Sequence, residues 1–248
     1  MERADPRTTF GRKAAFYSAS QAHTEEASLE ALARLARVAP GMRVLDVATG
    51  AGHAAARLIG EGAEAVGLDL TRPMLLEARR LYGRKGLLLV QGDVSRLPFP
   101  QGAFDLVVSR RAPHHFPDIE GALASMRQAL RPGGALVIED RSVPEDDLVD
   151  RTMNHLDRLH DRSHVREYRP SEWRSMVQAS GLALESMEAY RRQRPLSSLT
   201  QTAEPEDAAE IERMVREMSV SERERMGIEL KAISLDEDQH QDPEASLR

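Results

Sequence analysis

A short apolar run that ends in a carboxylate and two glycines constrains this chain more than any other feature. Residues 43–53 read Arg-Val-Leu-Asp-Val-Ala-Thr-Gly-Ala-Gly-His, which predicts a buried strand that turns directly into a helix. Gly50 and Gly52 lack the Cβ atom that would block close approach, and the free N–H groups of the next helix point at whatever lies over the strand end. Asp46 would repel a pyrophosphate and favour a cation such as an ammonium group. The turn therefore predicts a ligand site.

Two further predicted strands also end in acids. The strand over 64–69 ends in Asp69, and the strand over 87–91 is followed by Gly92, Asp93 and Val94. Residues 50–55 also fit the G-x-G-x-x-G/A fingerprint of dinucleotide-binding folds, in which an acid about twenty residues further on binds a ribose. An NAD(P)-dependent oxidoreductase therefore stays open as an alternative, although it explains neither Asp46 nor Asp93.

Strand and helix patterns alternate along most of the chain. Short continuous apolar runs predict strands over 43–47, 65–68, 87–90, 106–109 and 135–139, and helical spacing predicts helices over 53–60, 72–82 and 119–130. Helices over 171–180 and 206–218 and strands over 182–191 and 228–235 follow. Because crossovers between parallel strands are right-handed, these units build a doubly wound sheet with its ligand crevice at the carboxyl ends of the strands. We predict an α/β fold: a Rossmann-like, seven-stranded, mostly parallel sheet with an antiparallel C-terminal strand and helices on both faces.

Composition excludes several classes of protein. A chain of 248 residues with 41% hydrophobic content is long enough for one α/β domain. Its net charge of −6 argues against a nucleic acid partner, whose binding relies on basic surfaces. The chain has no cysteine, which excludes disulfides, thiolate metal sites and a cysteine nucleophile. It lacks a signal peptide pattern and any apolar run near the ~20 residues of a membrane span, so we expect a cytoplasmic protein.

Four motifs follow one another along the chain, at residues 44–52, 67–69, 92–99 and 130–134. Together they resemble the class I S-adenosylmethionine-dependent methyltransferases, and most closely the ubiquinone and menaquinone biosynthesis C-methyltransferases. The resemblance implies S-adenosyl-L-methionine as cofactor, with Asp46 and the glycine loop holding its methionine part, Asp69 its ribose hydroxyls and Asp93 its adenine amino group. It also implies that the cofactor is contacted by Ala48, Gly50, Gly52, Leu70, Met74, Gly92, Val94 and Ser109. Ala48 departs from the family pattern, which more often has glycine there.

The resemblance also suggests how the chain is divided. We expect a single methyltransferase domain over 1–235 and a flexible tail over 236–248. Within the domain, residues 10–39 form an N-terminal helical cap, with an amphipathic helix over 25–38. Residues 144–170 are polar and rich in His, Arg and Asp, and we expect them to cover the open edge of the sheet as a substrate lid.

The loop after the fourth strand is where the chemistry is expected, because it faces both cofactor and acceptor. His114 and His115 are candidates for a general base, and packing residues are the alternative, so no catalytic residue is assigned. A metal site is not expected, since neighbouring side chains rarely point the same way and no nearby ligand completes a shell. Candidate substrate-binding residues come from this loop, the cap and the lid: Tyr17, Arg111, His155, Arg158, His164 and Arg166. The alternative for the lid residues is a solvated helical face.

The expected function is methyl transfer to a small-molecule acceptor, such as a quinol-, phenol- or other metabolite-like compound, by in-line displacement. Positioning can supply most of the rate gain because the methyl group of the cofactor is already activated. A cofactor-binding module without catalysis is the alternative, since a fold does not establish an activity. The sequence leaves open the acceptor, the methylated atom and the oligomeric state, a homodimer included.

Overall fold

Five parallel strands form the main sheet, in the order β3-β2-β1-β4-β5. The computed structural model describes residues 4–20, 24–189 and 193–229. The strands are β1 (Arg43–Val47), β2 (Glu64–Asp69), β3 (Leu88–Gln91), β4 (Phe104–Arg110) and β5 (Leu130–Glu139). The register pairs Asp46 of β1 with Gly67 of β2 and with Val108 of β4. The carboxyl ends of all five strands therefore meet at one edge of the sheet.

Helices cover both faces of this sheet. The helices along the first part of the chain are α1 (Pro6–Ala19), α2 (Glu26–Ala36), α3 (His53–Gly60), α4 (Arg72–Tyr82) and α5 (Ile119–Ala129). Neighbouring residues of a strand pack their side chains into two different cores, one on each face of the sheet. Leu45 packs in one core with α5, whereas Val44 packs in the other with α2, α3 and α4. This two-sided burial explains why the strands read as continuous apolar runs rather than as alternating patterns.

The C-terminal part builds a third core beside the sheet. Its elements are α6 (Asp147–His160), α7 (Pro170–Ala179), β6 (Arg194–Pro195), α8 (Leu196–Thr200), α9 (Pro205–Glu217), α10 (Val220–Met226) and β7 (Ile228–Glu229). Leu156 of α6, Leu199 of α8 and Ile211 of α9 are fully buried against one another. No helix in the described ranges is both long and apolar enough to span a membrane.

The predicted parallel half of the fold is confirmed, but the seven-stranded sheet is not. Residues 182–189 form no strand, and Leu182 instead packs its side chain against the core below α5. Alternating apolar residues can lie on a surface without pairing their backbone, so the pattern alone is ambiguous. Ile228–Glu229 pairs in parallel with Arg194–Pro195 in a separate two-stranded sheet, so the prediction of an antiparallel addition is wrong for these residues. The rest of the two predicted strands and the predicted tail lie outside the described residues.

Candidate functional site

The turn after β1 holds an unusual backbone at the carboxyl edge of the sheet. Ala48, Gly50 and Gly52 all have left-handed φ angles, of 57°, 55° and 84°. Only glycine adopts this conformation without a steric cost, so Ala48 is strained there. The turn places the N-terminus of α3 directly over the end of β1, which is the arrangement that the sequence predicts.

Asp46 lies beneath this turn and is almost fully buried. Its Oδ2 accepts hydrogen bonds from Thr49 Oγ1 at 2.6 Å and from the Ala55 N–H at 3.1 Å. The described residues offer no hydrogen-bond donor to its Oδ1. Burial raises the pKa of Asp46 to about 6, against the lowering effects of these two hydrogen bonds and of the Arg110 charge. One oxygen of Asp46 therefore holds the turn closed, while the other remains able to bind a donor.

Asp69 at the end of β2 is also tied to the turn. Its Oδ2 accepts from the Gly50 N–H at 2.9 Å, and its Oδ1 accepts from both the N–H and the Oγ1 of Thr71 at 2.8 Å. Burial raises the pKa of Asp69, and these hydrogen bonds oppose that rise. Since a carboxylate oxygen has two lone pairs, Oδ2 can still accept from a ligand hydroxyl.

The third acid differs from the first two because it is exposed. Asp93 Oδ1 accepts from the Ser95 N–H at 2.9 Å, which forms a tight local turn after β3. The other predicted cofactor contacts lie around the same edge. Met74 is buried beside Gly50, Ser109 is buried and donates to the Val47 carbonyl at 3.0 Å, and the Leu70 carbonyl accepts from Gln91 Nε2 at 3.2 Å.

The glycines serve packing more than the sequence suggests. A Cβ on Gly52 would lie 2.8 Å from Leu87 Cδ2 and 3.2 Å from Ala78 Cβ, so this glycine lets the turn pack against α4 and the residue before β3. The expectation that Gly52 contacts the cofactor stays a prediction. A Cβ on Gly67 would meet the Thr49 side chain at 2.8 Å, which explains how Thr49 reaches Asp46.

A second polar cluster lies where β4 and β5 end. It contains three histidines, His114, His115 and His164, which we call the histidine trio. The ring centroid of His114 lies 4.1 Å from that of His115 and 5.6 Å from that of His164. The Nδ1 of His114 lies 2.6 Å from Asp140 Oδ1, and the His114 backbone N–H donates to Asp140 Oδ2 at 2.8 Å. Burial lowers the pKa of His114 well below its ordinary value and raises that of Asp140 to about 6. A neutral histidine therefore faces an ionised carboxylate near neutral pH.

The lid supplies the third histidine and fixes it. His164 Nε2 lies 3.1 Å from Asn154 Oδ1, and the same oxygen accepts from the Glu167 N–H at 2.7 Å. The His164 Nδ1 is buried and has no hydrogen-bond partner. Burial lowers the pKa of His164 to about 3. The backbone carbonyl of His114 accepts from the N–H groups of Val165 and Arg166, which joins the lid to the loop after β4.

A buried ion network anchors this cluster to the C-terminal core. Asp157 of α6 is fully buried and pairs with Arg141 at 3.0 Å and with Arg194 at 2.7 Å. Burial would raise the pKa of Asp157, but the two guanidinium groups outweigh it and hold that pKa well below its ordinary value. Arg141 also lies 3.2 Å from Glu167, whose own pKa is raised by burial and by Asp157.

Some of the predicted substrate-binding residues lie near the histidine trio, and others lie away from it. Tyr17 lies at the cluster, where its O–H donates to Asp161 Oδ2 at 3.5 Å, and Arg111 lies in the loop after β4 with a left-handed φ of 53°. His155 is exposed on the outer side of α6, and Arg158 is only half-buried. Arg166 is paired with Asp150 and Glu172. Arg166 therefore stabilises the lid through ion pairs, which differs from the solvated helical face that was the alternative from the sequence, and its role in substrate binding stays a prediction.

Several residues at the site are missed by reasoning from the sequence. Asp140 directly follows β5, so the rule that marked the acids after the first three strands could have found it. Asn154, Ser163 and Asp161 carry no such signal, because they meet the trio only through the fold of the lid. Within the described parts of the chain, no group of three or more His, Asp or Glu side chains is placed to hold a metal ion.

Comparisons with known proteins show what this chain is similar to. A family model described as "Methyltransferase domain" matches residues 45–138. An uncharacterized methyltransferase of Bacillus subtilis, YcgJ, is 35% identical over 186 residues, which is 74% of this chain and 74% of the relative. The crystal structure of YcgJ has a TM-score of 0.72 at 31% identity and covers 80% of this chain and 87% of that chain. A demethylmenaquinone methyltransferase of Thermus thermophilus is 44% identical over 100 residues, 39% of this chain and 46% of the relative, so the chain matches less than half of it.

Proposed function

Since the chain belongs to the methyltransferase family that includes YcgJ, we propose that it transfers a methyl group from S-adenosylmethionine to a small-molecule acceptor. One feature of the glycine turn carries this function: Asp46 is buried beneath it with Oδ2 fully used and Oδ1 without a donor. A hydrogen bond to a charged oxygen is worth about 1.5–3 kcal/mol, so Oδ1 favours a ligand that brings a donor. An ammonium group supplies that donor, and a pyrophosphate does not.

The other acids fit the same cofactor. Asp69 Oδ2 keeps a lone pair for a ribose hydroxyl. Asp93, which follows the next strand, is exposed and can accept from an adenine amino group. Met74 is buried against Gly50 and can pack on an aromatic ring. When bound, S-adenosylmethionine supplies a methyl group on a positively charged sulfur.

The chain's own residues would position the acceptor and hold its proton. His114 is the better base of the two adjacent histidines, because Asp140 fixes its ring through Nδ1 and leaves Nε2 without a donor from the described residues. Asp140 also stabilises the positive charge that forms when Nε2 takes a proton. His115 is instead partnered by Ser163, whose Oγ lies 3.3 Å from its Nδ1, and no carboxylate of the described residues accepts a hydrogen bond from its ring.

The acceptor site lies between this cluster, the lid and the cap. Phe10 of α1 lies edge-on to His115 with ring centroids 4.9 Å apart, and Tyr17 is 5.2 Å from Phe10. These rings border the cluster with apolar surface from the cap. A quinol-, phenol- or other metabolite-like acceptor fits this surface, and relatives named as demethylmenaquinone methyltransferases support that class.

Titration calorimetry tests the cofactor directly. S-adenosylhomocysteine is expected to bind the full chain, and NADH is not. Asp46→Asn and Asp69→Asn each remove one charge-assisted acceptor, which is worth about 1.5–3 kcal/mol, so each should weaken S-adenosylhomocysteine binding by roughly 10- to 150-fold.

Asp105→Asn provides the matched control. Asp105 lies near the start of β4, at the opposite edge of the sheet, where it accepts from the Arg43 N–H. This variant loses the same charge and should keep its affinity for S-adenosylhomocysteine. Tighter binding of NADH than of S-adenosylhomocysteine would refute the proposed cofactor.

A further inference from the structure

The outer side of α4 carries a cluster of cations around one apolar side chain. Residues 72–85, which span α4 and the short turn after it, contain five Lys or Arg and one acid, in a chain whose net charge is −6. Leu76 is 55% exposed on this helix. Because residues three and four positions apart are neighbours on a helix, Leu76 lies between arginines on both sides along the chain. We call this surface the basic face, and its five exposed cations are Arg72, Arg79, Arg80, Arg84 and Lys85.

The stability of α4 explains only part of this charge. Cations in the last turn of a helix are favourable, which accounts for Arg79 and Arg80. Arg72, however, is the first residue of the helix, where a cation is unfavourable, and the first turn holds no acid to compensate it. Arg84 and Lys85 lie beyond the helix, in the turn over Gly83–Lys85. Helix stability therefore accounts for two of the five cations.

The basic face is also poorly neutralised by its surroundings. Arg80 pairs with Glu77 at 2.8 Å, whereas the other four cations form no ion pair with any described residue. On α9, by contrast, the exposed Arg213 pairs with both Glu210 and Glu217, at 2.6 and 2.8 Å. A chain with more acids than bases therefore keeps a local positive field at this one surface.

The shape and the apolar centre of the basic face indicate the kind of partner. The outer side of a helix is convex, so it meets a flat surface and does not enclose a small molecule. Arginine side chains can lay their apolar stems beside Leu76 while their guanidinium groups reach phosphates. A bilayer with anionic lipids offers phosphate at its surface and hydrocarbon directly below it. A nucleic acid backbone offers phosphate but no apolar layer for the leucine.

We propose that the basic face docks the protein on a membrane surface that contains anionic lipid. The arginines contact lipid phosphates, and Leu76 enters the boundary between headgroups and acyl chains. Binding of this kind is peripheral and reversible, so it needs no membrane-spanning helix. The docking does not rest on the proposed methyl transfer, since no residue of the basic face is assigned to the cofactor site or to the histidine trio.

Vesicle flotation tests the docking on the full wild-type chain. The protein should float with phosphatidylcholine vesicles that contain about 30 mol% phosphatidylglycerol, and should stay unbound with phosphatidylcholine alone. Salt screens exposed charges, so raising NaCl from about 0.05 M to about 0.5 M should weaken binding at least tenfold. Equal binding to both kinds of vesicle, or no binding at low salt, would overturn the proposal. Tighter binding to a fluorescent DNA duplex than to the anionic vesicles would also overturn it, in favour of a nucleic acid partner.

A double substitution locates the contact. Arg79→Gln with Arg84→Gln removes two exposed charges that form no ion pair with a described residue. Since each cation near an anionic bilayer is worth roughly fivefold in affinity, binding to anionic vesicles should weaken roughly 30-fold. The matched control is Arg151→Gln with Arg174→Gln, at exposed helical arginines of α6 and α7 that also lack an ion pair with a described residue, and it should weaken binding less than twofold. An equal loss in the two double variants would refute docking through the basic face.

Leu76→Gln tests the apolar contact, because glutamine forms helices nearly as well as leucine. Binding to anionic vesicles should weaken about fivefold, since the leucine no longer gains from leaving water. Val220→Gln is the control at another exposed apolar position, 61% exposed at the start of α10, and should not change binding. Unchanged binding in Leu76→Gln would refute the insertion of the leucine. Calorimetry with S-adenosylhomocysteine should give the wild-type affinity in every variant, so a failure of docking is distinguished from a failure of the proposed function.

Discussion

Ala48 holds a backbone conformation that its side chain disfavours. Its φ of 57° lies in the left-handed region, between Asp46 and the two glycines of the turn. An L-residue with a Cβ is destabilised there by about 1–2 kcal/mol. The conformation persists because Asp46 and Asp69 hold the turn through Thr49, Ala55 and Gly50. Strain of this kind is common where a backbone must be presented to a ligand.

Ala48→Gly should therefore stabilise the protein. Relief of the steric cost outweighs the extra chain entropy of glycine, roughly 0.5–1 kcal/mol, so we expect a gain of about 0.5–1 kcal/mol in the free energy of unfolding. Urea denaturation measures this. The same substitution in the interior of α3, Ala56→Gly, should instead destabilise by about 1 kcal/mol or more. A loss of stability in Ala48→Gly would mean that the packing of its methyl group on the core matters more than the strain.

Asp140 and His114 form the second residue-scale pair with a testable consequence. In Asp140→Asn, the side-chain oxygen has to accept from the His114 backbone N–H, so the amide nitrogen faces His114 Nδ1. The amide donates there, and the imidazole proton moves to Nε2. We expect 15N NMR of the ring to report Nε2–H instead of Nδ1–H, and methyl transfer to fall by about 10²- to 10⁴-fold. An unchanged tautomer would remove Asp140 from its positioning role.

At the scale of elements, α6 and the loop after it behave as one unit because of Asn154. Its Nδ2 donates to the Asp150 carboxylate and to the Glu167 carbonyl, while its Oδ1 accepts from the Glu167 N–H and from His164. One amide side chain thus satisfies both backbone groups of a buried loop residue. Such a loop would otherwise be unstable in the interior.

Asn154→Ala should loosen the lid. The change leaves the Glu167 N–H and carbonyl and the His164 Nε2 proton without partners, which should destabilise the protein by about 2–4 kcal/mol. Hydrogen exchange at the Glu167 amide should accelerate more than exchange in β1 or β4. The exposed neighbour serves as control: His155→Ala should change stability by less than about 0.5 kcal/mol. Uniform acceleration across the sheet would show that the lid does not open by itself.

The sequence predicts elements well where a local pattern decides them. The bounds of β1, α3 and α4 match the prediction because a glycine turn, a proline start and an apolar period each mark them. Residues 182–189, part of the strand expected over 182–191, do not form a strand, because backbone pairing at a sheet edge depends on residues that are distant in sequence. The site follows the same division. Asp46, Asp69 and Asp93 follow from strand ends, whereas Asn154 and Ser163 reach the trio only through the tertiary fold.

For the molecule as a whole, burial of ionisable groups sets how stability depends on pH. His53, His114, His115, His160 and His164 all have a lowered pKa, with burial as the largest cause. Such groups take up protons in the unfolded state first, so they destabilise the fold as pH falls. Asp46 and Asp140, whose pKa values are raised to about 6, act in the opposite direction between pH 6 and 4. The net curve therefore conceals large opposing contributions, which single variants can separate.

His160 is suited to such a test because it lies outside the trio. Its Nδ1 donates to the Leu199 carbonyl at 2.8 Å, and burial, with the charges of Arg141 and Arg194 added and Asp157 opposing, lowers its pKa to about 4. The unfolded value is about 6.5, so the contribution of neutral His160 is complete above pH 6.5 and is lost as pH falls towards 4. At about 1.4 kcal/mol per pH unit, the stability difference between wild type and His160→Gln should shrink by about 2–3 kcal/mol between pH 7.5 and 4.5. Urea denaturation of both proteins at several pH values measures it, and a constant difference across that range would show that His160 is not held neutral by the C-terminal core.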